Sequence, residues 1–462
     1  MDSDAKSAQS CRIAALICVI LALNLLKLRC LVYRSNESCA MKRVSPIGKA
    51  SIGCGPLIQP LSETSRPLRQ QIFERVRAAG QMARVQLARE LQISPASVTT
   101  ITSELIEAGL IEEVQTVREG ETARGRPAVA LRVPPNRRLV VGIKLSDREH
   151  TAVLVDFAGN LIAGEAIPRS PGAMALEGIL DAAERLLDRV CAKGGVSRDR
   201  VEALGLGVPG FVDCDSGVVH WSPILSSRHV PLQDALRARL GRTVFVDNDA
   251  NLVTLAELWF GAGRRLSDFA VVTIEHGLGM GFVINHRIYR GARGMGMELG
   301  HTKVQLDGAL CRCGQRGCLE AYVADYALVR EAQTALNLPL GEMQSVGVML
   351  ESLFDHAKAG NAAARSIFRR AGRYLAVGLS NIVNLFDPAL IILSGERMRY
   401  DYLYASETLS EMHAMMLDTG RDAPQIETHA WGDLLWAHGA AALALHELTE
   451  QLLGPSREMA AQ

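Results

Sequence analysis

The chain has 462 residues, with 50 Lys and Arg balanced by 50 Asp and Glu. It is long enough for two or three domains, and its neutral balance gives no global signal for nucleic acid or a membrane surface, so any such signal must be local. Its ten cysteines do not form a disulfide framework: Cys11, Cys18, Cys30 and Cys39 lie near the start, Cys54, Cys191 and Cys214 are scattered, and only Cys311, Cys313 and Cys318 cluster. That usage excludes a disulfide-stapled secreted scaffold and fits a reducing cytoplasm.

Residues 1–65 are expected to be an unstructured or mis-assigned leader, with Met41 as an alternative start. Ile13 to Leu26 is apolar apart from Asn24, yet it falls short of the roughly 20 residues a membrane span needs. Extension to Val32 would bury Lys27 and Arg29 at a cost of several kcal/mol. Asp2 and Asp4 spoil the basic start of a signal peptide. A membrane partner is not expected, and an anchor over Ile13 to Val32 stays open as an alternative. Residues 42–65, rich in Ser, Gly and Pro, read as flexible.

Residues 66–138 read as a winged helix-turn-helix. A first helix opens at Pro67 and stops at Gly80, with Leu68, Ile72, Phe73 and Val76 at helical spacing. A second runs from about Val85 to Leu91. Ser94 caps a third, which Pro95 opens and Gly109 ends. Its inward residues are Val98, Ile101, Leu105 and Ile106. Its other face carries Ala96, Ser97, Thr99, Thr100 and Ser103, small hydroxylated side chains suited to close approach and hydrogen bonding in a major groove. Strands over Ile111 to Val117 and Ala128 to Val133 flank a loop with Arg118, Arg124, Gly125, Arg126 and Pro127. An arginine on such a turn can enter a narrow minor groove. The region holds 12 Arg, no Lys and 8 Glu, a local charge of +4. The alternative is a helical protein–protein module.

From Leu139 onward an apolar run, two paired strands, a helix over Gly178 to Ala192 and a strand over Val201 to Val208 give a β-β-β-α-β order. That order resembles one lobe of the actin-like ATPase fold. A strand from Thr243 to Val246 leads into Asp247-Asn248-Asp249 and a helix. Phe269 to Ile274, a glycine turn (Gly277, Gly279, Gly281) and Phe282 to Ile284 open a second lobe, completed by helices over Ala362 to Leu385 and a strand over Leu390 to Leu393.

Within the second lobe, Glu298 to Glu320 offers His301, Cys311, Cys313 and Cys318, a full N/S ligand set for a tetrahedral zinc. Gly314 and Gly317 allow the backbone to turn tightly enough for three thiolates to face one ion. Four protein ligands leave no open position for water, so such a zinc would be structural. The alternative is a cluster of reduced thiols or a disulfide.

The pattern G-H-x9-C-x-C-G-x-x-G-C-L-E, intact from Gly300 to Glu320, resembles the signature of the ROK family (repressors, open reading frames, kinases). The resemblance covers roughly Arg66 to Leu448. It implies an α/β chain in which the winged helix-turn-helix is followed by a two-lobed actin-like ROK sugar-binding domain over 139–462. It implies zinc on His301 and the three cysteines, and a monosaccharide or amino sugar contacted by Asn248, Asp249, Glu298, His301 and Glu320. Asp249 could instead only cap its helix, and the two glutamates could only surround the zinc. The repressor branch carries a Gly-Arg-Pro wing, matched by Gly125-Arg126-Pro127.

Two functions follow from different classes. ROK kinases have an acidic residue followed by I-G-G-T where this chain has Lys144 and Ser146-Asp147, and a G-T-G-x-G pattern where it has Glu275-His276-Gly277-Leu278-Gly279. Asp147 and Glu275 bring negative charge to a triphosphate's seat, at about 1 kcal/mol per contact near 4 Å in water and more in a dry cleft. Lys144 cannot hold Mg²⁺. The resulting expectation is a sugar-responsive DNA-binding regulator, a repressor, without catalytic activity or bound ATP. Its partners would be operator DNA, a sugar effector and its own copies in a homodimer or homotetramer. The competing reading is an ATP-dependent hexose or N-acetylhexosamine kinase with a DNA-binding head, Asp249 as base and Mg²⁺ as cofactor.

Overall fold

A computed structural model of the chain describes residues 42–44, 53–57, 66–115, 129–169, 172–336, 345–395, 406–418, 420, 422–429, 432 and 434–455. The winged helix comprises α1 (Leu68–Ala79), α2 (Arg84–Leu91), α3 (Pro95–Glu107) and the antiparallel pair β2 (Glu112–Gln115) and β3 (Val129–Arg132), with β1 (Lys42–Val44) before it. The caps follow the residues present. Pro67 precedes α1, and the Ser94 hydroxyl accepts from the Ser97 amide at 3.0 Å to start α3. Val98 and Leu105 are buried as the helical spacing requires, and so is Thr102, which accepts a 2.9 Å hydrogen bond from Arg84 Nε. The loop of Arg118, Arg124, Gly125, Arg126 and Pro127 lies outside the described residues, as does Ile13 to Val32.

The remainder is two sheets of the same topology. The first, from β4 (Leu139–Lys144), β5 (Glu149–Asp156), β6 (Leu161–Pro168), β7 (Val201–Val208) and β10 (Thr243–Asn248), has the order β10-β7-β4-β5-β6. Between these strands lie α4 (Leu176–Lys193), the short hairpin β8 (Phe211–Asp213) and β9 (Val218–Trp221), and α5 (Leu232–Leu240). Helix α6 (Asp249–Phe260) follows β10. The second sheet, from β11 (Phe269–Ile274), β12 (Leu278–Ile284), β13 (Arg287–Tyr289), β14 (Leu390–Ser394) and β15 (Gln425–His429), has the order β1-β15-β14-β11-β12-β13. In each sheet three parallel strands continue into two antiparallel ones. Helices α7 (Glu320–Val323), α8 (Asp325–Ala335), α9 (Val346–Lys358), α10 (Ala362–Phe386) and α11 (Ser406–Met415) fill the second lobe, and α12 (Leu435–Leu453) closes the described chain.

Two departures from the sequence reading have clear causes. The glycines expected to form a turn lie inside a strand: Gly279 and Gly281 belong to β12. Helix α6 packs so closely there that a Cβ on Gly281 would come within 2.0 Å of Thr254 Oγ1. The leader is also not wholly unstructured. Residues 53–57 are wedged between the winged helix and the body, where the Cys54 amide donates to Arg77 O at 3.2 Å and Arg264 Nε donates to Gly55 O at 2.9 Å. Cys54 is buried, and Arg264 Nη2 also donates to Ala78 O at 2.6 Å.

One apolar cluster runs through both modules, from Ile72, Phe73, Leu87 and Val98 to Trp259, Ala440 and Leu448. Polar contacts seal the joint between α1 and the end of α12. Arg77 Nη1 donates to Thr449 Oγ1 at 2.8 Å, and Gln70 Nε2 donates to Glu450 Oε1 at 2.8 Å. Arg69 donates to the carbonyls of Leu453 and Gly454 at 3.0 and 3.1 Å. Arg77 itself is buried against the rings of Phe73, Phe157 and Trp259, 4.5 Å from the last centroid.

Candidate functional site

The strand ends that α/β sheets offer to ligands come together here. Lys144 ends β4, Asn248 ends β10 and Glu275 follows β11, and all three line one cavity of about 440 Å³. That cavity also takes in Asp249, Glu298, His301 and Glu320, so the five residues expected to meet a sugar share one wall-to-wall space. Its volume falls in the range of small-molecule sites.

Each of the five is positioned by local structure. Asn248 is the N-cap of α6: its Oδ1 accepts from the Ala250 amide at 2.8 Å, and its Nδ2 donates to Gly210 O at 2.6 Å. Asp249 therefore is not the cap residue, although its Oδ1 also lies 2.9 Å from the Ala250 amide. Burial raises its pKa, and the Lys144 ammonium opposes that rise. Glu320 opens α7 and is buried. Its Oε2 accepts from the Leu278 amide at 3.3 Å and its Oε1 from Tyr326 Oη at 3.3 Å. Glu298 sits in the cleft wall, where desolvation, aided by Asp249 and Glu320 and opposed by His301, pushes its carboxyl up to about 7.

His301 faces two ways. Its Nδ1 lies 3.7 Å from Cys311 Sγ, and its Nε2 lies 3.9 Å from Glu298 Oε2. The ring packs edge-on against Phe211 of β8 at 5.7 Å, which in turn contacts Trp221. A hairpin from the first lobe thus steadies a residue of the second. The sequence reading missed Phe211 and Trp221; only Phe211 carries a hint, its place directly after Pro209-Gly210.

One ligand atom each from His301, Cys311, Cys313 and Cys318 lie within 4.8 Å of one another, an arrangement able to hold a metal ion. Bonds of about 2.3 Å to a tetrahedral centre put sulfurs roughly 3.8 Å apart, and Cys313 Sγ and Cys318 Sγ stand 3.7 Å apart. Gly314 and Gly317 take φ values of +88° and +76°, and a Cβ on Gly317 would lie 1.7 Å from Gln305 O, so the turn needs glycine. Lys303 Nζ donates to Cys318 Sγ at 2.9 Å, a contact absent from the sequence reading. No disulfide joins Cys311, Cys313 and Cys318 in this structure.

The partners of the altered phosphate-loop residues lie beyond motif reading. Lys144 Nζ rests 3.5 Å above the Trp436 ring and 3.9 Å from Glu275 Oε2. Asp147 Oδ2 stands 3.3 Å from His276 Nε2. The two carboxylates expected as bare charges each have a cationic or ionisable neighbour across the cleft.

On the winged helix, Thr99, Thr100 and Ser103 are exposed and Ser97 is partly so. The hydroxyls of Thr99 and Ser103 donate to Pro95 O and Thr99 O, both at 2.9 Å. Four of the twelve arginines behind the local +4 are held in ion pairs: Arg66 with Glu74, Arg75 with Glu90, Arg84 with Glu113 and Arg132 with Glu112. Positive charge for phosphates is therefore concentrated on fewer groups than the count suggests. Arg124 and Arg126 lie outside the described residues.

The model of the ROK family matches residues 140–447. The DNA-binding transcriptional dual regulator NagC of Escherichia coli K12 is 31% identical over 359 residues, covering 76% of this chain and 84% of its own. The solved structure of a ROK family transcriptional regulator, a homologue of the E. coli MLC protein, superposes with a TM-score of 0.69 at 25% identity, covering 83% of this chain and 96% of that one. A ROK hexokinase from Thermus thermophilus gives 0.58 at 31% identity, covering 68% of this chain and 99% of its own. The two regulators cover 76% and 83% of this chain, whereas the hexokinase leaves about a third of it unmatched. With its cluster, its paired sheets and a family match over most of its length, this chain belongs to the ROK family.

Proposed function

We propose that the chain is a sugar-responsive DNA-binding transcriptional regulator, a repressor, acting in the cytoplasm on operator DNA as a homodimer or homotetramer. The observation that carries this is the joint occupancy of one cleft by Asn248, Asp249, Glu298, His301 and Glu320 in a body that shares its core with a helix-turn-helix. Carboxylates accept hydrogen bonds from sugar hydroxyls, and the His301 Nε2–H donates one if Nδ1 faces a metal. Zinc on His301, Cys311, Cys313 and Cys318 would supply rigidity to the Glu298–Glu320 segment and no bond-making chemistry. The chain's own residues do the rest: Glu320, fixed by Leu278 N and Tyr326 Oη, and Asn248, fixed by Gly210 O, present preset acceptors and donors.

The chemistry that a kinase needs is opposed by the far end of the cleft. Lys144, Asp147 and Glu275 line the same space, and by the family resemblance Lys144 would replace the acid that a kinase uses toward metal-bound phosphates. The reading is therefore a sensor without phosphoryl transfer. The kinase reading draws on Asp249, a carboxylate whose pKa burial raises toward that of a base, and on the hexokinase likeness. A panel of common sugars, each with and without ATP and Mg²⁺, separates them: a thermal shift with sugar alone and no ADP release supports the sensor, and sugar-dependent ADP release at an ordinary enzymatic rate overturns it.

A further inference from the structure

The turns at the far end of the cleft belong to different lobes. The first, 145–148 with Lys144 and Glu149 at its ends, joins β4 to β5, and the second, 275–277, joins β11 to β12. They meet through two contacts. Lys144 Nζ lies 3.9 Å from Glu275 Oε2, with side chains 12% and 22% exposed. Asp147 Oδ2 lies 3.3 Å from His276 Nε2, and the other ring nitrogen of His276 lies 3.6 Å from the buried Asp325 carboxylate of α8. His276 is thus held between a carboxylate of each lobe.

Neither turn is loose in itself. Ser146 N donates to His150 Nδ1 at 3.2 Å, and Ser146 Oγ donates to Glu149 O at 2.6 Å, which folds the first turn back on its strand. In the second, the Glu275 amide donates to Gly277 O at 2.9 Å and the Asp325 amide donates to Glu275 O at 3.1 Å. Lys144 is further fixed over Trp436, in the first turn of α12. Two rigid rims whose side chains pair crosswise within contact distance behave as a clasp, because closing them costs little side-chain entropy.

We infer that Lys144–Glu275 and Asp147–His276–Asp325 form a cross-lobe latch that closes the cleft in place of a nucleotide. In a two-lobed fold that binds a nucleotide, phosphates and their metal bridge the lobes. Here side-chain charges bridge them, so closure around a sugar needs no second ligand. A ligand enclosed by both lobes binds the closed form better, and any loss of the latch lowers its apparent affinity by the fraction of closed form lost. The inference rests on the cleft being the sugar site.

The test is a double-mutant cycle on the full-length chain with Lys144→Met, Glu275→Gln and both together, repeated with Asp147→Asn. Hydrogen exchange of the amides in 144–149 and 275–277 is read without ligand, and affinity for the best sugar of the panel by calorimetry. The expected result is faster exchange in both turns in every variant and sugar binding about five- to tenfold weaker in each single variant. The Lys144/Glu275 double variant should be no weaker than its worse parent. Unchanged exchange, or affinity losses that multiply in the double variant, would overturn the latch. If the parent chain binds no sugar, the sugar reading fails, while the exchange arm still decides the latch.

Discussion

Arg290 of the segment after β13 grips Asp247, with Nε and Nη2 at 2.9 and 2.7 Å from Asp247 Oδ2. The pair crosses from the second lobe to the last strand of the first. Asp247 is fully buried, and its other oxygen accepts from Asn248 N at 2.7 Å and Asn251 Nδ2 at 2.8 Å. The strand end that presents Asn248 and Asp249 is therefore held by a charge pair that lies outside any motif. Arg290→Met leaves a buried carboxylate unpaired, at a cost of about 3–5 kcal/mol. The expected outcome is a large fall in melting temperature and weaker sugar binding, measured by thermal denaturation and calorimetry. A variant as stable as the parent would show the pair to be idle.

The metal cluster makes a prediction independent of sugar or DNA. Purified parent chain should carry about one zinc per chain, and His301→Ala or Cys313→Ser roughly none, because loss of one of four ligands opens a structural site to exchange. Metal content by mass spectrometry decides it. A full equivalent retained in Cys313→Ser would remove that thiol from the ligand set.

The arginine census bears on DNA. With Arg66, Arg75, Arg84 and Arg132 held in ion pairs, electrostatic binding is expected to lean on the wing. Replacing Arg126 by Ala should weaken operator binding and lower the slope of log affinity against log salt by about 1. Fluorescence anisotropy from low to high salt measures both. An unchanged slope would place Arg126 away from the phosphates and the minor groove.

His150 gives the first turn a pH dependence. Burial, with Arg169 and Arg185 nearby, lowers its pKa from 6.5 to about 4. The unfolded chain thus binds the proton more readily, and the stability that neutral His150 supports is complete above pH 6.5 and lost as pH falls toward 4. The full loss is on the order of 3 kcal/mol. His150→Gln, which keeps an acceptor for the Ser146 amide, should flatten the acid limb of a denaturation series between pH 6.5 and 4. A limb as steep as the parent's would mean that other groups carry it.

Much of this was legible in the chain itself. The helices of the winged module, the strands around Asn248-Asp249 and the His301–Cys318 cluster all carry local signals: caps, apolar periodicity, and ligand types at set spacing. What escaped has a common cause. Residues 53–57, Gly279, Gly281, Phe211, Lys144 over Trp436 and the Arg290–Asp247 pair owe their roles to partners distant in sequence. A glycine that reads as a turn becomes strand when a helix presses on it. Charge was misjudged for the same reason: Glu275 reads as a lone intrusion until Lys144 stands beside it.

The central claim is that filling the cleft with sugar loosens the hold on DNA without chemistry on the sugar. Its most direct measurement is operator affinity with and without the best-binding sugar, in the presence of ATP and Mg²⁺, with the sugar recovered and analysed for phosphate. The account predicts operator binding weakened by about 5- to 150-fold, the usual span of coupling between two sites, and the sugar returned unmodified. Recovery of a phosphorylated sugar formed with turnover, or operator affinity indifferent to a sugar that demonstrably binds, would contradict it.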